Sequence, residues 1–264
     1  MDKVDLEGLA SGATGMLGLG RTAISLHKQV SGSLKLPDMF SICLPSSGTT
    51  GKLIVGPGLN PDISKTLKST PLIINPVSTY PIYTEGDPSD EYFIDVRSIR
   101  VAGEQLSFKS SYLSIDKNGV GGTKISTLQN FTALHNSIYK PFARAFVKAA
   151  ANMRIKSVAN VGPFRACFSS DSISKGPFGP SVPDIDLVLP GKDVYWRIIG
   201  ANSMVEVDGK TTCLGFVDGG SIPRTSIVIG AHQLEENLLE FDLVASQLRF
   251  SSSLLVQKKM CSGL

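Results

Sequence analysis

The stretch "NGVGGTKISTLQNFTAL", Asn118 to Leu134, decides how this chain is read. Its glycine pair, Gly121 and Gly122, leads into Thr123-Lys124-Ile125, a short run that reads as a strand. The strand ends in Ser126 and Thr127, two hydroxyls with no carboxylate beside them. General acid/base chemistry needs a group that titrates near the working pH, and a serine hydroxyl does not.

Around this stretch the composition favours strands and turns. Charged residues make up 19% of the 264-residue chain, which also holds 26 Gly and 15 Pro. Short Val/Ile/Leu/Phe runs alternate with Ser, Thr, Gly and Asn clusters, as in all-β proteins. The length suits one large all-β domain or two small ones. A formal charge of +3 is small and scattered, and no Lys/Arg cluster is interleaved with stacking aromatics, so nucleic acid is set aside as a partner. No apolar run approaches the roughly 20 residues that span a bilayer, so no membrane partner is expected. The N-terminus "MDKVDLEGLASGATG" lacks a basic segment followed by an apolar one, so no signal peptide is expected in the chain as written.

Along the chain, "GATGMLGLGRTAISLHKQV" reads as a glycine-rich turn, a short apolar strand and a brief helix near Ser25 to Val30. "MFSICLPSSGTTGKLIVGPG" reads as two strands around a turn at Ser46 to Gly51, and "EYFIDVRSIRVAGEQLSF" as two more around Ala102-Gly103. One helix is predicted from about Asn136 to Met153, where Ile138, Phe142, Ala145, Phe146, Ala149 and Met153 recur at helical spacing. Pro141 then belongs within about the first turn. "DIDLVLP", "VYWRIIG", "SMVEVDG", "TTCLGFVDGG" and "SIVIGAHQLEENLLEFDLVASQLRF" return to strands.

Several strings imitate functional motifs. "SSGTTGKL" lacks the first glycine of a phosphate loop and has Leu53 where a hydroxyl should meet magnesium. "GMLGLG" has its glycines in the wrong order for a dinucleotide fingerprint and reads as a turn. His27, His135 and His232 sit in no ligand motif and read as surface or turn residues; no metal and no cofactor is expected. Asp218 in "GFVDGGS" is followed by Gly219, a turn signal, and a single aspartate cannot make a dyad sharing one proton. Trp196 reads as a core or strand residue, and Glu235 and Glu236 as lining a turn. Cys43, Cys167, Cys213 and Cys261 have no C-x-x-C spacing, which argues against zinc and leaves buried thiols or any of three disulfide pairings open. Asn130-Phe131-Thr132 is a sequon, so Asn130 is a glycosylation candidate, or a partly buried unmodified asparagine.

Taken in order, "GMLGLGRTAISL", "FSICL", "TPLIINP", "EYFIDVRSIRVAGEQL", "GGTKISTLQNFTALHNSIYKPFARAFVKAA" and "IVIGAHQLEENLLEFDLVASQLRFS" resemble the plant branch of the pepsin-like aspartic protease family. "GGTKIST", "GPSVPDIDLVL", "ANSMVEV" and "CLGFVDGG" resemble its non-proteolytic group: basic 7S globulins, extracellular dermal glycoproteins, and inhibitors of xylanases and xyloglucan-specific endoglucanases. The resemblance implies an all-β fold, the C-terminal lobe of a bilobal acid-protease architecture with one or two short helices. Residues 1–40 would be a remnant of the N-terminal lobe and inter-lobe segment, and residues 41–264 the C-terminal lobe. One lobe alone is expected to expose apolar surface at the seam.

The same resemblance places Ser126 at the second catalytic aspartate's position, with Thr127 after it, and so implies no catalytic residue in this lobe. It implies the disulfides Cys167–Cys213 and Cys43–Cys261, and an extracellular, apoplastic setting. It also implies a partner, a microbial glycoside hydrolase of the xyloglucanase or xylanase kind, whose cleft carboxylates an arginine can bind bidentately. The candidate is Arg224 in "GGSIPRTSIVIG", preceded by Pro223, with a second contact from "FSSDSISKGPFGPSVP", Ser169 to Pro183. Some relatives carry an arginine just before "GPSVP", whereas this chain has Pro177 and Phe178 there, with Lys175 displaced toward the loop's start. The bland reading of Arg224 is a solvated loop arginine. The alternatives are an aspartic endopeptidase, by family-wide label, and a storage or signalling globulin or an inactive truncated copy.

Overall fold

Strand Thr123–Ile125 lies near the middle of a ten-stranded sheet in a computed structural model that describes residues 15–46, 48, 50–78 and 87–264. The sheet runs in the order Phe216–Asp218, Thr132–Leu134, Ile227–Ile229, Thr123–Ile125, Tyr92–Ile94, Lys68–Ile73, Gln247–Phe250, Leu238–Asp242, Met39–Cys43 and Lys52–Val55. One four-stranded sheet orders Tyr195–Ile198, Ile185–Val188, Ser98–Val101 and Glu104–Gln105; another orders Met204–Asp208, Thr211–Leu214, Cys167–Ser169 and Ser157–Val158. The fold is all-β with few helices, and the pairs are mostly antiparallel.

The strand Leu238–Asp242 shows why the pattern is not a simple alternation. Its first four residues are all buried, as in a strand covered on both faces. Its one buried acid, Glu240, is paired with Arg249 on the neighbouring strand, and Arg249 also donates to Ser64 O and Oγ. A second cross-strand pair, Arg197 with the buried Asp186, is bidentate at 2.7 and 2.9 Å; the hydrogen bond to that carboxylate raises the guanidinium's pKa.

Helix Asn136–Asn152 buries Ile138, Phe142, Phe146 and Ala150, one residue per four. This stripe packs against strands Phe216–Asp218 and Ser98–Val101, with ring centroids of Phe142 and Phe216 4.8 Å apart. Burial of each phenylalanine contributes about 2–3 kcal/mol. The helix is capped by His135, whose Nδ1 accepts from Ser137 N at 3.0 Å. Pro141 falls in the second turn, not the first. The carbonyl that loses its donor belongs to Ser137, an exposed residue that water can reach, and this makes the proline tolerable.

Residues 1–14 of the expected N-terminal remnant, and Ser47 and Thr49 of the expected hairpin turn, lie outside the described residues. The expected division after residue 40 crosses the strand Met39–Cys43, which pairs with both Leu238–Asp242 and Lys52–Val55. The apolar run Met16 to Leu19 forms no strand. It is held instead by single bonds, Leu26 N to Gly18 O at 3.0 Å and Tyr92 Oη to Leu19 O at 2.7 Å, and leads into helix Leu26–Leu34.

Two disulfides cross-link the fold: Cys43–Cys261 ties the C-terminal segment to strand Met39–Cys43, and Cys167–Cys213 joins two neighbouring strands. The buried carboxylate of Glu236 reinforces the first by accepting from Ser46 N, Ser46 Oγ and Cys261 N at 2.7 to 2.9 Å.

Candidate functional site

Strands Thr123–Ile125 and Ile227–Ile229 run parallel, Ile227 opposite Thr123 and Ile229 opposite Ile125. Thr132–Leu134 inserts on the other side of Ile227–Ile229, antiparallel to it and parallel to Phe216–Asp218. Residues 126–131 therefore form a loop that leaves one strand and returns two places away. Its closure requires glycine at position 230, because a Cβ there would stand 2.5 Å from the carbonyl carbon of Phe131. Gly121 is likewise obligatory, with φ +102° and a Cβ position only 2.2 Å from Ser114 O.

Gln233 fastens the loop from beneath. Its Oε1 accepts from both Thr132 N and Thr132 Oγ1 at 2.8 Å, while its Nε2 donates to Asn202 O and Gly215 O at 2.9 and 3.0 Å. Thr132 Oγ1 in turn accepts from Gly230 N at 3.1 Å. This fully buried network uses every hydrogen-bonding atom of the Gln233 side chain.

At the loop's tip, Ser126 N donates to Ile229 O at 2.9 Å, and Ser126 Oγ accepts from Leu128 N and Gln129 N, both at 3.3 Å. The hydroxyl is engaged in shaping its own turn. Among the described residues no carboxylate is hydrogen-bonded to Ser126 or Thr127. Thr127 and Asn130 are exposed, and with Leu128 they border a cavity of about 550 Å³ whose floor includes Leu19, Ile42 and Leu44. The rim is apolar and open, with Leu17 58% and Leu128 66% exposed.

Pro223 and Arg224 line a different cavity of about 540 Å³, shared with Tyr112 and His135, whose ring centroids lie 4.3 Å apart with the planes tilted by 32°. Arg224 Nη2 donates to Ser78 O at 2.9 Å, and Arg224 O accepts from Gly121 N at 2.8 Å. Lys175 and Phe178 lie on a small hairpin, Lys175–Gly176 with Gly179–Pro180, Pro177 and Phe178 forming the turn. No residue from Ser169 to Pro183 lines the Arg224 cavity, so the two candidate loops do not share one pocket.

The histidines differ from expectation. His27 is wholly buried, stacked on Phe40 at 4.7 Å, with Nδ1 2.9 Å from Asp38 Oδ1 and Nε2 2.9 Å from Ser25 Oγ. His135 is a buried cap and His232 is half-buried. A single histidine in a run such as "AISLHKQV" gives no sign of this, because Asp38, Phe40 and Gly20, which surround it with Ser25, lie outside the run. Trp196 is a core residue whose indole donates to Asn237 Oδ1. Asp218 closes a turn by accepting from Gly220 N, and its second oxygen accepts from Asn136 Nδ2. Among the described residues no group of three His, Cys, Asp or Glu is placed to hold a metal.

Residues 91–252 match the family model described as xylanase inhibitor C-terminal, and residues 2–57 match that of its N-terminal counterpart. A probable aspartic proteinase GIP2 of Nicotiana benthamiana is 49% identical over 269 residues, covering 98% of this chain and 60% of the relative. The crystal structure of edgp superposes with a TM-score of 0.94 at 47% identity, over 100% of this chain and 65% of that one. Basic 7S globulin from soybean gives a TM-score of 0.80 at 32% identity, over 99% of this chain and 63% of that one. The chain thus spans about 60% of the length of the curated relatives it matches.

Proposed function

This chain belongs to the xylanase-inhibitor family of pepsin-like proteins, and from that premise we propose that it is a non-catalytic binding protein directed at a microbial cell-wall glycoside hydrolase. The observation that carries the reading is the state of the loop after Thr123–Ile125. In this reading Ser126 stands where an acid protease needs a carboxylate, and its Oγ accepts from Leu128 N and Gln129 N in shaping its own turn. A dyad sharing one proton has no counterpart in a serine.

The binding surfaces in this reading are the loop carrying Pro223 and Arg224 and the hairpin carrying Lys175 and Phe178. Both present exposed or half-exposed side chains on backbone fixed by a sheet or turn, which lowers the ordering cost of association. The division into a remnant of residues 1–40 and a lobe of residues 41–264 belongs to the same proposal, as do an extracellular setting and a glycan on the exposed Asn130. The two disulfides support an oxidising compartment.

The test is a titration of purified xyloglucan-specific endoglucanase and xylanase activities with this protein, beside a protein-cleavage assay at acid pH with and without pepstatin. The proposal expects saturable inhibition of a hydrolase and no pepstatin-sensitive cleavage. Cleavage without inhibition would establish the endopeptidase reading, which the name of the Nicotiana relative favours.

A further inference from the structure

We infer that the outer face of helix Asn136–Asn152 is a docking surface for a linear acidic polysaccharide, a polyuronate, with Lys140, Arg144 and Lys148 each meeting a carboxylate. The inference stands apart from the hydrolase reading above and uses none of its loops.

The net charge of +3 conceals an uneven distribution. Residues 117–170 hold 8 of the 26 basic residues and none of the 23 acidic ones, leaving 18 basic against 23 acidic residues elsewhere. The chain is electrostatically two-sided, with a basic middle inside an acidic remainder. The fold then concentrates the excess. Lys124 is paired with Glu91 at 2.6 Å, whereas Lys140, Arg144 and Lys148 form no ion pair among the described residues.

The helix period sets their direction. Each lies two residues after a member of the buried stripe, Ile138, Phe142 and Phe146, and so about 200° round the helix from it. The exposed positions of the helix are Ser137, Lys140, Arg144, Lys148, Ala151 and Asn152; three are cations, and none is acidic, aromatic or a large aliphatic. The cations follow one another in steps of about 6 Å along about 12 Å of axis. Arg154 and Lys156, both exposed, extend the positive field past the helix end. A merely solvated helix face carries both signs interspersed. This row does not stabilise the helix, because like charges four residues apart repel and the first turn holds no acid to offset them.

The make-up of the face selects its partner. A membrane surface would ask for apolar side chains among the cations, but the apolar stripe of this helix lies in the core. Single-stranded nucleic acid would ask for exposed aromatics on which bases stack, and Tyr139, Phe142 and Phe146 are all buried. A polyuronate needs neither. It offers a carboxylate on each sugar at regular intervals, and ammonium and guanidinium groups bind carboxylates through charge-assisted hydrogen bonds.

The experiment measures binding of this protein by biolayer interferometry to immobilised polygalacturonate and to the same polymer with its carboxylates methyl-esterified. Binding is expected to the acidic form only, weakening about 20-fold between about 50 and 200 mM salt, as release of counterions from three contacts requires. Lys140→Gln/Arg144→Gln/Lys148→Gln is expected to abolish binding with an unchanged circular dichroism spectrum. Each single substitution to Gln is expected to reduce the salt slope by about 0.7, a readout that holds even where the triple variant does not fold. Lys192→Gln/Lys258→Gln/Lys259→Gln removes the same charge from exposed positions elsewhere and is expected to keep affinity within about 3-fold. Equal losses in the two triple variants, or single variants with an unchanged slope, overturn the inference, because net charge alone then accounts for binding. Equal binding to the esterified polymer, or none to the acidic one at about 50 mM salt, overturns it too. Tighter binding at matched salt to phosphatidylserine vesicles or to single-stranded DNA assigns the row to another class of partner and overturns the polyuronate.

Discussion

His27 Nδ1 lies 2.9 Å from Asp38 Oδ1, with the imidazole wholly buried and the carboxylate partly exposed. With Ser25 Oγ 2.9 Å from Nε2, the three residues line up like a Ser-His-Asp nucleophile system. The arrangement is structural. Ser25 is 2% exposed, and Nε2 is also 3.0 Å from Gly20 O, so no substrate carbonyl can approach the hydroxyl. A fluorophosphonate probe is expected to leave Ser25 unlabelled in the folded protein. His27→Ala is expected to destabilise the fold by about 3 kcal/mol through the lost stack on Phe40 and the cavity left behind, as read from urea unfolding.

Gln233 holds Thr132, Asn202 and Gly215 together, and its replacement should be costly out of proportion to its size. Gln233→Leu removes the acceptor for Thr132 N and both donors to buried carbonyls. A loss of about 3–5 kcal/mol is expected, because each buried polar group left unpaired costs about 1–3 kcal/mol. The same unfolding experiment checks it, and a loss below about 1 kcal/mol would refute the assigned role.

Burial raises the pKa of Tyr92 and, to a lesser degree, that of Tyr139, since both phenols resist ionising away from water. A folded-state pKa above the unfolded one means that the stabilisation is complete below the unfolded value, near 10, and is lost as pH rises toward the folded one. Stability is therefore expected to be flat from pH 7 to about 9.5 in this respect and to fall above about 10, by up to about 1.4 kcal/mol per pH unit for each phenol. Tyr92→Phe should lower stability at neutral pH by about 1 kcal/mol, through the lost bond to Leu19 O, and flatten the alkaline slope. Denaturation midpoints of both proteins between pH 8 and 11 measure this.

The two disulfides close loops of different length, with sequence separations of 218 and 46. Loop-closure entropy then predicts losses of about 5 kcal/mol for the Cys43→Ser/Cys261→Ser pair and about 4 kcal/mol for Cys167→Ser/Cys213→Ser. The first pair is also expected to expose the C-terminal residues after Ser253 to proteolysis, because Cys261 anchors them beside Leu238 and Leu254. Limited digestion followed by mass mapping distinguishes this local release from a global loss.

Several features were legible in the sequence. Helix Asn136–Asn152 announced itself because its apolar residues repeat at the spacing of a helical face, and the strands from Ile185 to Phe250 because their apolar runs are bounded by turn residues. The absence of a carboxylate at Ser126 is likewise a fact of the sequence, since a missing functional group needs no coordinates. The short apolar strand expected between the glycine-rich turn and the helix near Ser25 does not form among the described residues, because an apolar run does not say whether another strand is free to pair with it.

Only the tertiary structure decided that His27 and Glu236 are buried hubs and that Gln233 ties three segments. Those assignments depend on partners 11 to 190 residues away in the chain, as with Asp38 for His27 and Ser46 for Glu236. Local sequence sets backbone preference and the apolar period, which are short-range properties. Whether a polar side chain faces water or a distant carbonyl is fixed only when the sheet order brings the two together, because hydrogen bonds act at about 3 Å and are indifferent to separation along the chain.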